Sequence, residues 1–146
     1  LAVDEHYRPL QAKKKRNILP LVMDLANPSP ALGWAERERF SFKERCRADL
    51  VTALALVHHL RLTCGVPFLD QAAWFAEIIK PGGHLLVEFV NREDSQVKRL
   101  LAARDDTFED FDLNSFAGAF SGFFVEESRI VLPESKRVLL ALKRCG

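Results

Sequence analysis

Cysteine is scarce in this chain. Cys46, Cys64 and Cys145 are odd in number, widely spaced and form no C-x-x-C pair. That excludes a recognisable disulfide framework or zinc motif and fits reduced thiols in a cytoplasmic protein. Long apolar runs are missing as well: the longest, Leu50 to Val57, is far too short to span a bilayer. The start lacks a basic region followed by an apolar stretch, so no secretory signal is expected. Neither sign of charge dominates, and a net charge of +1 gives no electrostatic case for nucleic acid or a membrane surface. There is no internal repeat and no low-complexity segment. What is present is 146 residues, 48% apolar and 28% charged, enough for one domain with a real core.

The most telling stretch runs from Asp49 to Leu60. An acidic residue opens a continuous apolar run, and the run leads to His58 and His59. A strand buried on both faces of a parallel sheet reads this way, and open α/β sheets bind ligands where such strands end. A strand over 49–57 is therefore expected, with the two imidazoles at its carboxyl end.

Elsewhere, Leu1 to Asp4 reads as the last part of a strand and the lysine-rich Tyr7 to Arg16 as a short helix. Asn17 to Met23 reads as a second strand, confined to an edge by Pro20. A long connection from Leu25 to Arg47 suggests a lid or binding loop, and Ser41 and Glu44 have capping-box spacing. A helix is predicted from Pro67 to Ile79, halted by Lys80-Pro81-Gly82-Gly83. His84 to Val90 follows as a buried strand. Helices over Ser95 to Arg104 and Leu113 to Phe120 come next, and strands over Phe123 to Leu132 and Lys136 to Lys143 form a final hairpin. Alternation of strands and helices predicts an α/β fold: a Rossmann-like, doubly wound, mainly parallel sheet with helices on both faces and a C-terminal antiparallel hairpin.

That layout, with Ala2-Val3-Asp4, Met23-Asp24-Leu25, the Asp49 to Leu60 stretch and Ile78-Ile79-Lys80-Pro81-Gly82-Gly83-His84-Leu85, resembles the class I S-adenosylmethionine-dependent methyltransferases. The resemblance implies transfer of a methyl group from S-adenosylmethionine to an acceptor that the sequence does not name. It implies that Asp4 holds the ribose hydroxyls, that Asp24 and Leu25 lie beside the adenine, and that Ala55 and Leu56, within the stretch Ala53 to Val57, floor the cofactor pocket. The glycine-rich loop that the family carries after its first strand has no counterpart, because Gly82-Gly83 precedes a strand rather than a helix. With Leu1 in place of an initiating methionine, the expectation is an intact protein with a further βα unit at its front. That unit would be about thirty residues if it is of βαβ size.

Each candidate has a plainer alternative. Asp4 and Asp24 can be turn formers, as aspartate often is. His58 is read as facing the acceptor, against simple packing at the strand's exit; with no third ligand at recognisable spacing, a metal role is not expected. Glu88 interrupts a buried strand and must be paired or face the cleft, so an arginine partner and a substrate contact compete. Trp34, with Arg37, Arg39 and Arg45, is read as a lid facing the acceptor, against a satellite cluster of solvated charges. Lys13 to Arg16 fit a solvated helix end better than an RNA contact, and Phe116, Phe120, Phe123 and Phe124 fit a core. The rival functions are a non-catalytic or degenerate Rossmann-like binding domain and a nicotinamide-dependent reductase.

Overall fold

The apolar stretch after Ala48 forms strand β1 (Ala48–Ala53), and three more strands follow it: β2 (Ile79–Val90), β3 (Phe124–Val131) and β4 (Arg137–Arg144). They belong to a computed structural model that describes residues 5, 8–9, 17–102, 108–133 and 135–146. The sheet order is β1-β2-β4-β3. β1 pairs with β2 in parallel, from Leu50↔His84 to Ala53↔Val87. β4 pairs antiparallel with both β2 and β3. Three strands therefore run one way, and the last strand of the chain inserts between two of them in the opposite sense. The fold is α/β with the expected C-terminal antiparallel hairpin, but the described sheet is mixed rather than mainly parallel: only the β1–β2 pairing is parallel, because the hairpin inserts β4 beside β2.

The α-helices that can be bounded among the described residues are α1 (Phe42–Arg45), α2 (Val57–Leu62), α3 (Phe68–Ile78), α4 (Ser95–Ala102) and α5 (Leu113–Ser121). Local chemistry sets their starts. Ser41 accepts from the Glu44 N–H while the Glu44 carboxylate accepts from the Ser41 N–H, the expected capping box. Pro67 is the N-cap of α3. Asp94 accepts from the Gln96 N–H at 2.8 Å, and Asp112 accepts from the N–H groups of Asn114 and Ser115.

Strand β2 begins at Ile79, earlier than the expected His84, and its Gly82 and Gly83 are glycines for separate reasons. Gly82 takes φ +74°, which an L side chain rarely adopts. A Cβ on Gly83 would lie 2.9 Å from the carbonyl oxygen of Asp49, so glycine lets β2 approach β1 closely.

The core lies on one face of the sheet. Leu85, Val87 and Phe89 of β2 alternate into it, as do Val138, Leu140 and Leu142 of β4. Phe68 and Phe75 from α3, Phe111, and Phe116 and Phe120 from α5 complete an aromatic cluster, with Phe116 and Phe120 centroids 4.3 Å apart. The alternate residues His84 and Leu86 are only partly covered, so the described helices shield the second face less completely.

Two expectations need correction. Residues 17–23 form no strand: the segment is unpaired, and Ile18, Leu19, Leu21 and Val22 are exposed. Pro20 lacks a ladder donor, and the run pairs with neither edge of the described sheet. Second, β1 stops at Ala53 rather than Val57. Ala55 turns to φ +51°, a left-handed conformation that ends any strand, and His58 and His59 sit in helix α2 instead. The expected strand over 1–4 lies outside the described residues, as does most of the lysine-rich helix.

Candidate active site

β1 and β2 end side by side, and the register Ala53↔Val87 brings Glu88 next to the turn leaving β1. Glu88 is buried at 7% exposure, and its Oε2 accepts from the Ala55 N–H at 2.7 Å. A non-glycine residue in the left-handed region is strained, and this charge-assisted bond holds it there.

The other Glu88 oxygen, Oε1, accepts from Arg137 Nη1 at 3.1 Å. Arg137 opens β4, opposite Val90 at the end of β2, and its Nε donates to Asp94 Oδ2 at 3.1 Å. Asp94 in turn caps α4. One guanidinium thus ties together the ends of β2 and β4, the start of α4 and, through Glu88, the exit of β1. Glu88, then Asp94, push the Arg137 pKa up. Desolvation pushes the Asp94 carboxyl up, but the Gln96 N–H and Arg137 outweigh it and hold it below the usual range.

His58 stands beside this network with 3% exposure, and its Nδ1 has no hydrogen-bond partner among the described residues. The His59 ring lies 4.3 Å from its own, centroid to centroid. Burial first, then His59 and Arg137, lower its pKa from 6.5 to about 4, with Glu88 and Asp94 partly opposing them. His58 is neutral at pH 7. Because its folded value is depressed, its stability contribution is complete above about 6.5. It is lost as the pH falls from there towards 4. The loss is on the order of 2–3 kcal/mol, and His58→Gln is expected to remove that slope from urea-unfolding midpoints measured across the window.

Ala55, His58 and His59 on one side and Gln96, Arg99 and Arg137 on the other wall a cleft of about 450 Å³. A neighbouring hollow of about 500 Å³ shares Arg137 and contains Glu88, Asp94 and Lys136. A third cavity, about 290 Å³ under α5, is walled mainly by Phe116, Phe120, Leu140 and Leu142 and offers few polar groups. Convergent polar groups single out the first two as the place for chemistry. They lie at the carboxyl ends of β1 and β2, the edge the sequence pointed to.

Of the expected site residues, Ala55, His58 and Glu88 come together here, while Leu56 precedes α2 and packs against the hydrophobic core instead. Asp24 and Trp34 are not drawn into this cluster. Asp24 accepts from the Ala26 N–H, two residues on, as a turn former, with Leu25 in the same turn. The Trp34 side chain covers nothing at 87% exposure. Arg45 turns back to the Phe40 carbonyl. Asp4 lies outside the described residues. The sequence reading missed Arg137 and Gln71. Arg137 looked like an ordinary charged strand start. Gln71 was legible as the one polar side chain on the apolar stripe of α3; its Nε2 donates to the carbonyls of Val66 and Val57 and anchors the start of α2. Among the described residues no group of His, Cys, Asp and Glu could hold a metal ion, and no helix is long and apolar enough to cross a membrane.

No protein-family model matches the chain. It is 42% identical over 137 residues to nodulation protein NoeA of Rhizobium meliloti strain 1021, a match that takes in 94% of this chain but 28% of that protein. The chain thus spans little more than a quarter of the curated relative's length. Among solved structures, the crystal structure of N-methyltransferase NodS from Bradyrhizobium japonicum WM9 aligns with a TM-score of 0.47 at 12% identity, over 69% of this chain and 53% of that one.

Proposed function

We infer that this chain is part of a class I S-adenosylmethionine-dependent methyltransferase and that the methyl acceptor sits in the cleft between α2 and α4. The observation that carries this reading is the convergence of Ala55, His58, Glu88 and Arg137 at the carboxyl ends of two parallel strands. The ordered motifs at the strand ends, which resemble that family, support it independently.

The described residues fit the acceptor side of such a site. Ala55 lines the cleft, and Glu88 fixes that part of it by holding the Ala55 N–H. His58, neutral and shielded, offers an uncharged wall against which an incoming nucleophile can be oriented. S-adenosylmethionine, when bound, supplies an electrophilic methyl on a sulfonium; the protein's part is to hold an acceptor in line with it and exclude water. Nucleoside binding rests on Asp4 and Asp24, of which Asp24 has one oxygen engaged in its own turn. Trp34 and its loop take the role of a lid only if they move, since they now stand clear of the cleft.

Calorimetric titration with S-adenosylhomocysteine tests the reading. Saturable binding, with no response to a nicotinamide dinucleotide, is the expected result. Binding of the dinucleotide instead would favour a reductase, and binding of neither a non-catalytic domain.

A further inference from the structure

The polar lining of the cleft is one-sided. Arg99 and Arg137 are cations; Gln96, His58 and His59 carry side chains able to donate; and among the described residues no carboxylate lines it. Glu88 and Asp94 belong to the neighbouring hollow, across Arg137. Arg137 is already engaged by both of them. Arg99 is exposed on α4, one turn beyond Gln96, and has no ion-pair partner among the described residues. The second observation is independent of charge. His58 lines the same cleft, is 3% exposed, and has an Nδ1 with nothing to bond. A buried ring nitrogen left unpaired is uncommon, and it marks this wall of the cleft as one whose hydrogen-bonding demand is unmet among the described residues.

We propose that the cleft between α2 and α4 binds an oxyanion, a carboxylate or a phosphate, carried by the methyl acceptor, with Arg99 as its counter-ion and Gln96, His58 and His59 as hydrogen-bonding partners. Arg99 supplies a planar fork of donors that matches either group, and Arg137, fixed by its two carboxylates, gives the opposite wall a constant shape. The substrate class that follows is an acidic small molecule, with the nucleophile beside or near its anionic group. This rests on the reading of the cleft as the acceptor site, but its test does not depend on methyl transfer.

The test uses inorganic phosphate and acetate as separate probes at constant ionic strength, with chloride as the balancing salt. Binding is followed through the ring nitrogen resonances of His58 and His59. The expected result is a saturable shift of both residues with at least one probe. Phosphate alone would mark a phosphorylated acceptor and acetate alone a carboxylic one. Arg99→Gln should weaken that binding tenfold or more. Lys98→Gln, the adjacent cation on α4 that does not line the cleft, should change it less than twofold. Both side chains are exposed, so circular dichroism should show both variants folded. No saturable shift with either probe, or equal losses in the two variants, overturns the proposal. Titration with S-adenosylhomocysteine separates the two readings. Its binding without any oxyanion site removes this proposal and leaves methyl transfer standing, whereas an oxyanion site without it does the reverse.

Discussion

Glu88→Ala is expected to lower the stability of the fold by about 3–5 kcal/mol, because it breaks a largely buried ion pair from one side. The Glu88 side chain is 9% exposed and that of Arg137 30%, so the guanidinium keeps some access to water and to Asp94. The larger part of the cost falls on the turn at Ala55. Its N–H loses a charged acceptor, and the left-handed backbone loses the bond that holds it. Glu88→Gln keeps an acceptor for Ala55 and gives up only the charge, so its cost is expected to be smaller, about 1–3 kcal/mol. Urea-unfolding midpoints of the two variants give the comparison. Equal losses would mean that the charge, not the bond to Ala55, is what matters.

The second large effect is expected at Phe116. Its ring is fully buried and lies 5.3 Å from Phe68, 5.3 Å from Phe89 and 4.3 Å from Phe120, centroid to centroid. Those partners come from α3, β2 and α5, so the ring joins three elements at one point. Truncation to alanine removes its transfer energy and opens a cavity that rigid aromatic neighbours fill poorly, at a cost of about 3–5 kcal/mol. Phe40→Ala is the matched control. That ring is 64% exposed, and its loss should stay within about 0.5 kcal/mol. A Phe116 variant as stable as the Phe40 variant would mean the aromatic cluster is not the centre of the core.

The sequence made the second half of the fold readable because the local signals there agree with the packing. Pro67 and the apolar stripe predict α3 almost to the residue, Asp94 and Asp112 sit as caps, and Pro133 to Ser135 separates two clear strands. The first half was less legible for identifiable reasons. Ile18 to Val22 has strand composition, yet a strand needs a neighbour, and composition does not reveal whether one is there. The apolar run after Asp49 looks like one long strand because Leu54, Ala55 and Leu56 carry no turn residue. The break at Ala55 is imposed from a distance by the carboxylate of Glu88, thirty-three positions along the chain. With the strand broken there, His58 and His59 fall in a helix, whereas the apolar run alone predicts a strand end.

Part of the site was visible in advance. Glu88 is a charge inside a buried strand, which by itself predicts either an arginine partner or a place facing the cleft, and it has the arginine. Which arginine could not be read, since Arg137 reaches it through the antiparallel register of β4. The reading of Trp34 as part of a lid rested on loop length alone, and loop length says nothing of where a ring points.

The measurement closest to the central claim is hydrogen exchange of the chain with and without saturating S-adenosylhomocysteine, read peptide by peptide. If the cleft at the carboxyl ends of β1 and β2 is the functional site, protection should concentrate in residues 54–60 and 94–100. Ligand-induced protection under α5 around residues 116–124, with 54–60 unchanged, would contradict it.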